Sequence, residues 1–104
     1  MRRSRLEVHI DILRVLARYG PLKPTHIMYK ANINCDVLQR YTDFLIERNL
    51  IELRKEKGDR VVYAITQNGI NVLKQLRELK QALPIEDEFS EGPKNSIQVP
   101  TWFH

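Results

Sequence analysis

The sequence has a single cysteine, Cys35. One thiol closes no disulfide within the chain, so a disulfide-stapled secreted fold is excluded and a reducing compartment is expected. Long apolar runs are missing, and none approaches the roughly 18–20 residues that span a bilayer. The positive start, Met1-Arg2-Arg3-Ser4-Arg5, leads into a charged segment instead of the apolar stretch of a signal peptide. The expected address is the cytoplasm. Four glycines and five prolines are too few for a low-complexity chain. The sequence has no glycine-rich phosphate loop, no H-E-x-x-H pair and no nucleophile elbow. His9, His26 and His104 have no partners at ligand spacing, so no metal site is expected. Paired carboxylates occur only on charged helix faces and in the C-terminal tail, where solvation explains them. We find no basis for an enzyme and none for a cofactor.

What is present is a chain of 104 residues, 42% hydrophobic and 29% charged. That is one small domain with a packed core, possessing little stability to spare. Its charge is uneven. Residues 1–83 carry 16 Lys and Arg against 9 Asp and Glu, a net +7, while 84–104 carry one against four, a net −3. A basic globular part with an acidic tail points toward a polyanion partner.

Ser4 followed by Glu7 is a capping box, which opens a first helix. Leu6, Ile10, Leu13, Leu16 and Ala17 form one apolar stripe on it; Val8, Ile12, Val15 and Tyr19 form a second beside it. Such a helix is expected to be buried on a wide front. Gly20-Pro21 stops it. Pro24 suits the first turn of a short second helix, 24–31, whose apolar side is Ile27, Met28 and Ala31. Asn32-Ile33-Asn34 is a turn, and Asn34 is an N-cap for a third helix, 35–48. On that helix Val37, Leu38, Tyr41, Phe44 and Leu45 share one face. Asp36, Gln39, Arg40, Asp43 and Glu47 take the other, and Asn49 is the expected C-cap.

Residues 51–56 and 61–65 read as two strands around Lys57-Gly58-Asp59-Arg60, a hairpin. A two-residue loop sets Leu53 on the face of Val62 and Ala64. A three-residue loop with a bulge sets Leu53 beside Tyr63 and Ile65, and is favoured because it buries more apolar surface. Thr66 caps a fourth helix, 67–83. Its Ile70 and Leu73 can face the core, and Val72, Leu76, Leu79 and Leu83 form an a/d seam. Pro84 ends the pattern. Residues 84–104 lack periodicity and carry Glu86-Asp87-Glu88, so they read as a disordered acidic tail.

The expected fold is therefore mostly α with a small β-hairpin: three helices, a two-stranded wing and a C-terminal helix, the winged helix-turn-helix order. Residues 1–83 form the domain and 84–104 the tail. Here the residues also carry a family resemblance. Ile27-Met28-Tyr29-Lys30-Ala31-Asn32, Arg40-Tyr41, Leu45 and Leu50-Ile51 resemble the archaeal winged-helix family of small DNA-binding proteins and transcription regulators. Tyr63-Ala64-Ile65-Thr66-Gln67-Asn68-Gly69 resembles that family's Y-x-I-T-x-x-G ending. The resemblance covers about residues 4–80. It implies a DNA-binding fold, often dimeric through the last helix. Chromatin-like members carry a long C-terminal helix that pairs as a coiled coil, whereas Pro84 cuts that helix short here.

The candidate DNA contacts follow. Gln39 and Arg40 match adenine and guanine edges in the major groove, which is wide enough for a helix of about 12 Å. Lys23, Thr25 and His26 open the second helix, where free N–H groups can meet a phosphate. Asn34 sits at the start of the third helix. Lys55, Lys57 and Arg60 bracket the wing, where positive charge suits the backbone. Each has a plainer reading, a solvated surface or a cap. Asp36, Asp43 and Glu47 share the face of Gln39 and Arg40 and repel phosphate. Arg2, Arg3 and Arg5 form a basic arm that tracks the backbone or simply frays. Tyr29 and Tyr41 belong to the core edge, and Cys35 is a small residue that fits its turn. The seam Val72, Leu76, Leu79 and Leu83 predicts a homodimer, unless it packs on the first helix. The apolar end of the tail is a candidate for a protein partner. The expected function is sequence-specific transcriptional regulation on double-stranded DNA. The alternatives are an architectural DNA-binding protein and a protein-interaction module. Operator, regulated genes, effector and sign of regulation are not legible.

Overall fold

The computed structural model describes residues 3–83. The expectations for 84–104, including disorder, the tail's partner and His104, fall outside the described residues, as does Arg2. Six elements follow one another: α1 (Arg5–Tyr19), α2 (Pro24–Ala31), α3 (Cys35–Glu47), β1 (Ile51–Glu56), β2 (Arg60–Ile65) and α4 (Gln67–Ala82). This is the winged helix-turn-helix arrangement expected from the sequence.

The helix starts lie where the capping residues put them. The Ser4 hydroxyl accepts from Glu7 N, and the Glu7 carboxylate accepts from Ser4 N, closing the capping box. Asn34 Oδ1 accepts from Val37 N, and Thr66 Oγ1 accepts from Gly69 N. Gly20 ends α1 at φ 83°, a left-handed value that favours glycine. Asn32 ends α2 at φ 58° and turns the chain toward α3. The third helix stops one residue earlier than expected. Arg48 is its cap, and Asn49 takes the left-handed conformation just beyond, at φ 62°.

The core is built from Val8, Ile12, Leu13 and Leu16 of α1, Ile27 and Ala31 of α2, Leu38 and Leu45 of α3, and Ile51 and Tyr63 of the hairpin. Val72 and Leu73 of α4 pack against it. The front of α1 is narrower than its pattern suggests. Leu6, Ala17 and Tyr19 are exposed. Tyr19 lies instead under Lys30 Nζ, 4.0 Å from the ring centre. Tyr29 is not a core-edge residue; it is 84% exposed. At 100° per residue it points opposite Ile27 and Ala31.

Phe44 also leaves the apolar face of α3 and is exposed. Its ring stacks on His9 at 4.5 Å and lies under the Arg48 guanidinium at 3.8 Å. Thr42, which the apolar pattern passed over, is fully buried. Its hydroxyl donates to Leu38 O at 2.8 Å, so the buried polar group is satisfied within its own helix.

The hairpin loop has three residues, Lys57–Asp59, and pairing runs without interruption from Glu56 opposite Arg60 to Ile51 opposite Ile65. The favoured register therefore holds, with Leu53 opposite Tyr63, but the ladder contains no extra residue. Gly58 and Asp59 make the reversal at φ 72° and 65°. Leu53 is nevertheless 52% exposed. Only Ile51 of β1 is buried, so the wing projects beyond the helices. β2 is held more deeply, because Tyr63 pairs on its free side with Leu22 through two backbone bonds of 3.0 and 2.9 Å.

The link from wing to α4 explains the Tyr63–Gly69 motif. Thr66 Oγ1 donates to Asn49 O at 2.8 Å while capping α4, and Thr66 N donates to Leu50 O. Gly69 presses against the same corner. A Cβ there would overlap the Leu50 carbonyl oxygen and meet Ile65 Cγ1 at 2.6 Å.

Candidate nucleic-acid interface

The outer side of α3 is set by the burial of Leu38, Thr42 and Leu45 on the inner side. Asp36, Gln39, Arg40, Asp43 and Glu47 are all exposed, as the helical spacing requires. Gln39 Nε2 donates to Asp43 Oδ1 at 3.0 Å, an (i, i+4) pair that holds the amide along the helix. The Arg40 side chain is exposed and carries the only positive charge on α3. Three carboxylates surround it. Asp36 lies in the first turn, where negative charge is favoured by the helix dipole. Asp43 and Glu47 have no such reason.

At the entrance to α2, Lys23 is the N-cap but makes no side-chain capping bond, and Pro24 occupies the first turn. His26 N and Ile27 N both donate to Lys23 O at 3.0 and 3.2 Å. The Thr25 N–H is thus one of the open donors of this helix end. Lys23, Thr25 and His26 are exposed, and Tyr29 joins them on the outward side of α2. Tyr29 was missed as a candidate because its apolar neighbours in sequence suggested a core position. Asn34 is exposed, but its Oδ1 is committed to capping α3.

On the wing, Lys55, Lys57 and Arg60 are exposed. Arg60 stands opposite Glu56 in the ladder. Arg54 is engaged by Glu52 of its own strand at 2.7 Å, which leaves the predicted three residues as the wing's outlying cations.

Arg3 corrects the reading of the N-terminal arm. It neither frays nor points away. Its guanidinium pairs with Asp11 at 2.7 Å and donates to Ala31 O at 2.7 Å and Asn32 O at 2.6 Å. Those carbonyls end α2, where the helix dipole is negative. Arg3 therefore ties the helix-turn-helix corner to α1. No local pattern announces this, since the partners lie 28 and 29 residues away.

His9 sits between Tyr41, at 4.6 Å, and Phe44. Burial lowers its pKa below the usual histidine value, the nearby Arg48 charge adds to this, and a hydrogen bond with the Arg5 backbone opposes it. Cys35 is exposed and unpaired. Among the described residues no group of His, Cys, Asp and Glu is arranged to hold a metal ion, and no helix is long and apolar enough to cross a membrane.

Comparison with known proteins agrees with this geometry. The chain is 35% identical over 78 residues to the uncharacterized protein MJ0287 of Methanocaldococcus jannaschii, covering 75% of this chain and 74% of the other. Its fold is similar to Sso10a-2, a DNA-binding protein from Sulfolobus solfataricus, with a TM-score of 0.63 and 27% identity over 95% of this chain and 99% of that one. A MarR family transcriptional regulator from Silicibacter pomeroyi has a TM-score of 0.66 at 17% identity, and the chain covers 62% of it with 86% of its own length. The same arrangement of elements is found in the transcriptional regulator BldR from Sulfolobus solfataricus, at a TM-score of 0.65 and 18% identity. Residues 2–83 match the winged helix-turn-helix family, and the chain belongs to it.

Proposed function

We propose that this protein is a sequence-specific DNA-binding transcriptional regulator that acts as a homodimer. α3 enters the major groove, where Arg40 reads guanine and Gln39 reads adenine. The start of α2, with Lys23, Thr25, His26 and Tyr29, meets a phosphate, and Asn34 lies beside it at the turn. Lys55, Lys57 and Arg60 hold the flanking backbone. The seam Val72, Leu76, Leu79 and Leu83 joins two copies, which suits an inverted-repeat site. The observation that carries this reading is a helix-turn-helix followed by a wing on which Lys55, Lys57 and Arg60 are all exposed. The likeness to a described DNA-binding protein over nearly its whole length supports it.

The test is selection from a random duplex library across a salt series. A short inverted repeat with steeply salt-dependent affinity is expected. Salt-dependent retention without enrichment would turn the reading to an architectural role. No retention at low salt would leave a protein-interaction module, which the three carboxylates around Arg40 favour. Arg40→Ala should cost about 1–3 kcal/mol at one base position and relax preference there, whereas Lys57→Ala with Arg60→Ala should weaken all sequences alike.

A further inference from the structure

A groove of about 510 Å³ runs between α1 and α4, on elements not used in the proposed DNA contacts. Its floor is apolar, formed by Ala17, Leu73 and Leu76, and its rim carries Arg14 and Arg18 from α1 and Arg77 and Lys80 from α4. Arg14 and Arg18 also line a second cleft of about 420 Å³ with Lys30, where the one carboxylate, Asp11, is already paired with Arg3, so the basic surface continues toward the end of α2. None of Arg14, Arg18 and Arg77 forms an ion pair with another described residue. Like charges gathered this way repel one another unless something negative lies among them.

We propose that the acidic segment of the chain's own tail, 85–89, occupies this groove. Its sequence is Ile85-Glu86-Asp87-Glu88-Phe89: three carboxylates between two apolar side chains. That is the complement of an apolar floor with a basic rim. The segment is also within reach. Arg77 lies six residues before Leu83, about 9 Å back along the axis at 1.5 Å per residue. Residues 86–88 can extend about 10–17 Å from Leu83 at 3.3–3.5 Å per residue. A nucleic-acid backbone would leave the apolar floor unused. Seated there, the tail's net −3 cancels a basic surface remote from the wing and leaves the positive field concentrated at α2 and the wing. The inference does not rest on DNA binding, and its test uses no DNA.

The experiment uses the full chain in a Cys35→Ser background, with a nitroxide attached through Ser90→Cys. Amide intensities are compared before and after the label is reduced. The resonances of Arg14, Arg18, Leu73 and Arg77 should lose most of their intensity. They should recover when Glu86→Gln, Asp87→Asn and Glu88→Gln are combined, and also with Arg18→Gln plus Arg77→Gln. The spectrum itself reports that each variant is folded. Uniformly weak broadening, or broadening centred on α3 or the wing, would overturn the proposal. So would broadening seen only between differently labelled chains in a mixed sample, since the occupant would then be the partner's tail.

Discussion

Replacing Arg3 by alanine tests whether the helix-turn-helix corner is held from outside the motif. The side chain makes one ion pair and two charge-assisted bonds to carbonyls that end α2. Bonds involving a charged group contribute about 1.5–3 kcal/mol each when well protected. Here Arg3 and Asp11 are both about 30% exposed, so solvent screening reduces that figure. Ordering a long side chain costs up to about 2 kcal/mol more. The net expectation is a loss of about 1–2 kcal/mol. For a domain of this size each 1 kcal/mol lowers Tm by roughly 4–8 °C, so a fall of roughly 5–15 °C should appear in a thermal melt. Arg3→Lys keeps the charge but not the fork, and should recover less than half of the loss. Hydrogen exchange at Asn32 and Ile33 should quicken in the alanine variant, while β2 amides change only as global stability does. A Tm change under about 2 °C would correspond to less than about 0.5 kcal/mol and would refute the clamp. Equal acceleration of all amides would deny its local character.

Three further expectations follow from the same geometry. Gly69→Ala removes a helix glycine, which by propensity alone gains about 1 kcal/mol, yet overlap with the Leu50 carbonyl and Ile65 should make it destabilising by about 1–3 kcal/mol in a denaturant titration. A gain in stability would show that α4 can step back from the corner. His9 has a folded pKa below its unfolded value near 6.5, so the unfolded chain takes up the proton first as pH falls. Stability should be full above about pH 6.5 and decline as pH drops toward the folded value, then level off; His9→Phe, which keeps a ring against Tyr41 and Phe44, should abolish that share of the decline. Leu79 and Leu83 are 46% and 45% exposed. On the proposed homodimer, the native chain should sediment as a dimer and Leu79→Glu with Leu83→Glu as a monomer, with the melt of the dilute protein little changed; a native monomer would refute the seam, and a dimer that survives the substitutions would move the interface elsewhere.

The parts legible in the sequence are those decided locally. Ser4 with Glu7, Pro24, Asn34 and Thr66 each settle a helix start through a bond spanning three residues or through a fixed φ, so spacing alone reveals them. The hairpin register came out as expected, but the burial of Leu53 that favoured it did not: Leu53 stands opposite Tyr63 and is 52% exposed, while β2 buries Val62 and Ala64 on one face and Tyr63 on the other. What escaped depends on which element lies opposite. Leu53 and Tyr63 face each other, yet one is exposed and the other buried, since Leu22 pairs along β2 and no described residue does the same for the end of β1. Phe44 and Thr42 exchange their expected places because an aromatic can end against His9 and Arg48 at the edge, while a hydroxyl can satisfy itself on Leu38 O inside.

The charge on α3 bears on what the proposed site can discriminate. Its exposed face has Arg40 against Asp36, Asp43 and Glu47, so by itself this helix is repelled by a duplex. On the proposed reading the sequence-independent attraction must come from Lys23 and from Lys55, Lys57 and Arg60, and α3 then enters only where its few favourable contacts offset that repulsion. Gln39, held by Asp43, and Arg40 can supply them. A carboxylate facing a base edge also accepts from a cytosine amino group, which gives Asp43 or Glu47 a use on a matching sequence and a penalty on others. Repulsion of this kind lowers affinity for every duplex but lowers it most for the wrong ones, which is how a weakly attractive helix contributes to specificity. An architectural protein would have no use for such a face. The same three carboxylates that argue against tight DNA binding therefore argue, if DNA is bound at all, for selective binding.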